Sequence, residues 1–143
     1  MRRPKQVLVF LYKKVGNDYF YCIFLRKNNV WQGISGGVED DEALIDTVKR
    51  EVLEETGNVV SNIIELSSVS SIPVVSVVGD FRFGDDIYVI SEYSFGVECS
   101  GDIVLSSEHK DYKWMSYAEA ISCLEYDSNK TALWELNERL KRS

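Results

Sequence analysis

Glu51, Glu54 and Glu55 stand at i, i+3 and i+4, a spacing that puts three carboxylates on one helical face about one turn apart. Like charges so placed weaken an isolated helix. A hard divalent cation removes that penalty, since Mg²⁺ prefers oxygen ligands and keeps waters that substrate phosphates can replace. Arg50 adjoins Glu51 and lies four residues before Glu54, so it can hold a carboxylate in a fixed rotamer. Upstream, a turn at Gly36-Gly37 lets the backbone come close and offers a carbonyl as a further ligand. The other reading open to these residues is a solvated acidic face. Glu51 and Glu54 are expected on the solvent side of their helix.

The charge distribution sharpens this focus. Eight acids and two bases lie between Gly36 and Gly57, so that segment carries −6 of the net −7. The remainder is nearly neutral, which argues against nucleic acid as the main partner. A chain of 143 residues fits one domain, taken here as 1–143. Cys22, Cys99 and Cys123 are an odd set with no short spacing. They argue against a disulfide framework or a zinc site and for a reducing compartment. The apolar run Val7–Tyr12 ends at Lys13-Lys14, too short for export or for spanning a bilayer. It reads as a strand in a cytoplasmic protein with no membrane partner, a monomer or homodimer.

Several elements must position the acidic segment. Residues 6–13 and 19–26 are β-rich and read as a hairpin across Val15–Asp18. After a Gly-rich turn at Gly33–Gly37, residues 41–56 carry Leu44, Ile45, Val48 and Val52 at helical spacing. Asp40 or Asp41 is the expected N-cap, and Gly57 the left-handed C-terminal residue. Further strands are expected over 59–78, 87–97 and Tyr112–Met115. Ser116-Tyr-Ala-Glu119 has the capping-box pattern of a helix running to about Glu125. A last helix from about Ser128 places Leu133, Leu136 and Leu140 on one stripe. The sum is an α/β protein: a mixed, curved sheet with three helices on its faces.

The pattern Gly36-x5-Glu42-x7-Arg50-Glu51-Val52-x-Glu54-Glu55-x-Gly57 resembles the Nudix box, the loop–helix–loop signature of the Nudix hydrolases. It departs from the box at Asn58, where the family usually has an aliphatic packing residue. Val30–Glu39 and Ser107–Met115 are in turn similar to the dihydroneopterin triphosphate pyrophosphohydrolase branch, also called dATP pyrophosphohydrolase. The resemblance implies an α/β/α sandwich fold and a Mg²⁺ cofactor, with Mn²⁺ able to substitute. It implies a small-molecule nucleotide or pterin triphosphate, such as dATP or dihydroneopterin triphosphate, cleaved to the monophosphate and pyrophosphate.

By the same resemblance, Gly36, Glu51, Glu54 and Glu55 are the metal ligands. Glu51 is a ligand or the general base, and Arg50 an orienting partner. Glu42 supports the loop through hydrogen bonds. An acid from outside the box is expected to complete the catalytic set, with Glu108 the first candidate and Glu92 and Glu98 in reserve. Arg26, Trp31 and Gly37 are candidate substrate contacts. Trp31 and Trp114 are of the type that stacks on a base or pterin ring, a mode that tolerates several rings. His109, the lone histidine, is left out of the catalytic set. Pro73, fifteen residues past Asn58, is placed as in ADP-ribose-specific members and keeps open an ADP-ribose or other nucleoside-diphosphate-X substrate. A Nudix-fold module that senses a nucleotide without cleaving it is the third reading, and such modules lose box carboxylates that this chain keeps.

Overall fold

The computed structural model of the protein describes residues 2–143. Its centre is β1 (Arg2–Val15), in which every side chain from Val7 to Leu11 is essentially inaccessible to water. Alternation along this strand feeds two cores. Val7, Val9 and Leu11 enter one cluster, and Leu8, Phe10 and Tyr12 enter the other, as the two-residue repeat of a strand requires.

Along one edge β1 pairs antiparallel with two strands in succession. Leu11–Val15 meet β2 (Asp18–Arg26), and Arg2–Val9 meet β4 (Ile34–Glu39). Along the other edge Lys5–Tyr12 run parallel to β6 (Val89–Glu98). The two-residue β3 (Trp31–Gln32) and β7 (His109–Met115) pair with β2, and β5 (Ile63–Pro73) pairs with β6. The result is a seven-stranded mixed sheet with antiparallel pairs throughout except β1·β6.

Helices cover both faces. Val48 and Val52 of α1 (Leu44–Thr56) close the first core. Ala120 of α3 (Tyr117–Cys123) and Ala132, Leu133, Leu136 and Leu140 of α4 (Asp127–Arg142) close the second. Gly96 lets α4 settle on the sheet, because a Cβ there would strike Leu136. The α/β/α architecture expected from the sequence is therefore present. So are the capping box of Ser116 and Glu119 and the left-handed Gly57, with φ of 75°.

Three details differ. The described residues form four helices, not three: residues 74–78, expected as strand, form the short α2 (Val74–Val78). Pro73 has no N–H with which to extend the β5 ladder, and a left-handed Gly79 closes the turn that follows. The expected turn at Gly36-Gly37 is part of β4, since pairing with Val7 and Gln6 outweighs the low strand propensity of glycine. Ala43, rather than Asp40 or Asp41, holds the N-cap position of α1, and it makes no side-chain capping bond. No helix among the described residues is long and apolar enough to cross a membrane.

Candidate active site

α1 packs against β4, and this junction brings the acidic segment together. Gly36 faces Glu51 so closely that a Cβ would collide with the glutamate carboxyl group. Glu51 and Glu55 are consequently buried, at 7% and 4% exposure, whereas Glu54 is exposed. The sequence expectation that Glu51 and Glu54 face solvent is corrected for Glu51, because Gly36 of the neighbouring strand covers that side of the helix.

Arg50 organises the group. Its Nε donates to Glu42 Oε2 at 2.7 Å and its Nη2 to Glu42 Oε1 at 2.9 Å, a two-pronged ion pair. Nη2 also donates to the Gly37 carbonyl at 2.8 Å. Nη1 reaches Glu51 Oε1 at 2.9 Å and Glu54 Oε2 at 3.5 Å. Glu42 in turn accepts from the Glu39 backbone N–H and the Thr47 hydroxyl, tying the loop to the helix start. The Arg50 guanidinium, above all, holds the Glu42 carboxyl down at about 2.

Glu51 goes the other way. Burial, with repulsion from Glu54 and Glu55, lifts it to about 7 against the pull of Arg50. Burial works to raise Glu55 as well, but contacts from His109 and Ser106 outweigh it and leave that carboxyl below its usual range. Ser106 Oγ donates to Glu55 Oε2 at 2.5 Å. His109 Nδ1 lies 2.8 Å from the same oxygen, a close contact off the line of a straight hydrogen bond. The ring is buried and rests on Phe24, with centroids 5.1 Å apart. Neither Ser106 nor His109 was selected from the sequence. Their only signal was their place beside Glu108.

The Glu51 shift gives a testable pH dependence for the metal-free protein. A carboxyl with a folded pKa of about 7 and an ordinary unfolded value stays neutral more readily when folded. Its contribution is therefore complete below the ordinary value and is lost as pH rises through 7. The whole effect is about 3 kcal/mol, one pKa unit being worth about 1.4. Glu92, also raised by burial, acts with the same sign. Melting in chelator should accordingly occur several degrees lower at pH 8 than at pH 5. Glu51→Gln should remove most of that slope, and a flat wild-type profile would refute the assignment.

A cavity of about 300 Å³ opens at this junction, bordered by Gly36, Gly37, Glu51, Glu54, Glu55 and Glu108. Arg26 lies on the same lining, together with Arg2, which the sequence did not single out. Thus nearly all the expected site residues meet in one place. Arg50 stands behind them as the shared donor to Glu42, Glu51, Glu54 and the Gly37 carbonyl. Trp31 is the exception: it packs on the second core and bridges to Leu124, bordering neither cavity described here. A ring-stacking contact is therefore not supported at that position, and the same holds for Trp114, which lies against the first core beneath Lys13.

Glu51 and Glu54 lean on Arg50, and Glu55 on Ser106 and His109. Among the described residues, no three His, Cys, Asp or Glu side chains are grouped to hold a metal ion as they stand. The donor set still suits a hard divalent cation. It is all oxygen, it holds more charge than Arg50 neutralises, and Glu51 is buried at a cost that a cation would relieve.

A second, larger cavity of about 650 Å³ adjoins the first, and Gln6, Arg26, Ser35 and Val77 border both. It runs between β5, α2 and the start of α4, and Glu92 forms part of its wall. The reserve acid Glu92 thus belongs to this cavity rather than to the acidic one.

Comparison with known proteins places this arrangement. A family model described as the NUDIX domain matches residues 2–136. A Listeria monocytogenes protein described as a NUDIX hydrolase is 43% identical, with a TM-score of 0.86 over 98% of this chain and 96% of that one. The Escherichia coli dihydroneopterin triphosphate pyrophosphohydrolase is 23% identical, with a TM-score of 0.76 over 95% and 97%. The NUDIX domain of Shewanella oneidensis NrtR, solved with ADP ribose, is 19% identical, with a TM-score of 0.71 over 94% and 86%. No curated protein sequence matched the chain.

Proposed function

From the premise that the chain belongs to the Nudix family, we propose that it is a single-domain, divalent-metal-dependent pyrophosphohydrolase. Its substrate is a nucleoside-triphosphate-like molecule on a purine or pterin, cut to the monophosphate and pyrophosphate. The observation that carries this reading is the pairing of an acidic cavity with a larger, less charged one through a shared wall. Phosphates would lie in the first and the ring in the second. Arg2 and Arg26 are the only cationic side chains on the two linings among the described residues, which suits a short polyphosphate better than a polymer. A reducing cytoplasmic setting fits the free cysteines.

Gly36, through its carbonyl, and Glu51, Glu54 and Glu55 would hold Mg²⁺, with Mn²⁺ as a substitute. When bound, the ion neutralises phosphate charge and lowers the pKa of the attacking water. Glu51 is the proposed acceptor of the water's proton, as a buried carboxylate on the cavity wall. Arg50 fixes its rotamer, Glu108 borders the cavity as the acid from outside α1, and Arg26 meets phosphate oxygens beside Gly37.

A second reading rests on Pro73, which lines the larger cavity, and takes ADP-ribose or another nucleoside diphosphate derivative as substrate. Phosphorus NMR of the products from dNTPs, dihydroneopterin triphosphate and ADP-ribose at equal concentration separates the two. Pyrophosphate released in one step from a triphosphate is the expected result. Stepwise orthophosphate, or a far higher kcat/KM on ADP-ribose, would overturn it.

A further inference from the structure

Three side chains cross the wall between the cavities. Arg2 donates from Nη2 to Gln6 Oε1 at 2.9 Å, and Gln6 donates from Nε2 to Glu92 Oε2 at 2.6 Å. Arg2 borders the acidic cavity and Glu92 the larger one. Both ends of this relay are unsatisfied: Arg2 Nε and Glu92 Oε1 are buried with no hydrogen-bond partner. Buried polar atoms are nearly always paired. Here an orphan donor and an orphan acceptor sit at opposite ends of one connected chain, each on a different cavity. A two-ended ligand, anionic at one end and donating N–H groups at the other, would satisfy both.

The acceptor end specifies the chemistry. Glu92 is 3% exposed, and burial raises its pKa against the pull of Gln6 and Ser128 beside it. The Gln6 bond fixes the carboxylate through Oε2, with Ser128 close beside the group, and Oε1 is buried without a hydrogen-bond partner. Leu8, Ile72, Pro73 and Val77 supply apolar wall around it, and about 650 Å³ is ample for a fused ring and its sugar. A carboxylate only accepts, so the ring edge that fits it carries adjacent donors.

Building on the triphosphate reading above, we propose that Glu92 reads the heterocycle of the substrate and selects a 2-amino-4-oxo ring, the edge shared by guanine and pterin. Such a ring presents a ring N–H beside an exocyclic amino group, one donor for each carboxylate oxygen. Adenine presents its amino group beside an unprotonated ring nitrogen, which would set a lone pair against a carboxylate oxygen. Hypoxanthine has the ring N–H but lacks the 2-amino group. Selectivity among purines is therefore sharp, in place of the broad tolerance expected from tryptophan stacking.

The test is the binding of dGMP, dIMP and dAMP to the intact protein by isothermal titration calorimetry, which does not depend on turnover. Wild type should bind dGMP roughly 10- to 100-fold more tightly than dIMP or dAMP, the discrimination given by one two-pronged contact. Glu92→Gln, which keeps the shape but replaces one acceptor by a donor, should bring the three affinities within a few-fold of one another. Equal wild-type affinities, or a preference for dAMP, would overturn the assignment even if the variant failed to fold. So would a folded variant that keeps the dGMP preference. Guanine selectivity in a protein that hydrolyses no triphosphate would support Glu92 and count against the proposed reaction. Triphosphate hydrolysis without that selectivity would do the reverse.

Discussion

Glu54→Gln is expected to lower turnover on a triphosphate by roughly three orders of magnitude or more, and Glu51→Gln by a similar factor. Both substitutions keep shape and remove one negative charge. Glu54 is exposed and makes only a long contact to Arg50, so its variant should melt within a degree or two of wild type. Glu51 is different. Burial holds it near 7, and an amide there no longer bears the cost of a buried charge. In chelator at pH 8 the Glu51→Gln protein should be more stable than wild type, and with Mg²⁺ supplied it should remain nearly inactive. Steady-state kinetics beside calorimetry reads both effects. Near-normal turnover in either variant would remove that residue from the proposed set.

Excess EDTA should abolish activity, and Mg²⁺ or Mn²⁺ should restore it. The reason is electrostatic. Glu51, Glu54, Glu55 and Glu108 border one cavity of about 300 Å³, and Arg50 is already committed to Glu42 and Glu51. A polyphosphate entering that space without cations meets like charge at short range, where interactions are weakly screened. Binding of the ion should also raise the melting temperature. That rise should be larger at pH 8 than at pH 6, because Glu51 must be ionised to act as a ligand. Full turnover in chelator would end the metal hypothesis.

Much of this was legible because it is local. The i, i+3, i+4 glutamates, the Gly57 cap, the Ser116 capping box and the Leu133–Leu136–Leu140 stripe all depend on residues within a turn or two of one another. What escaped depends on pairing across the chain. β4 forms through its register with β1, which no property of two glycines announces. Burial of Glu51 comes from Gly36, fifteen residues before it, and His109 reaches Glu55 only because β7 lies along β2. Gln6 stands between Lys5 and the apolar run that starts at Val7 and gave no sign of a partner. Trp31 is of a type that suits ring stacking, and its packing against the second core depends on residues far along the chain.

The parallel seam between β1 and β6 also bears on the order in which the molecule assembles. The acidic cavity is built first on contacts of short reach, such as Arg50 to the Gly37 carbonyl across 13 residues, and Ser106 joins Glu55 across 51. The larger cavity depends on Gln6 meeting Glu92 across 86. Closing the longer loop costs about 2 kcal/mol more in chain entropy, and parallel, long-range pairing is slow to form. On the ribosome, β1, β4 and α1 can meet before β6 has been synthesised. The phosphate end of the site would thus form early and locally, and the ring-reading end would come last. Hydrogen exchange should accordingly find β6 amides protected later in refolding than those of α1, with ring selectivity the final property acquired.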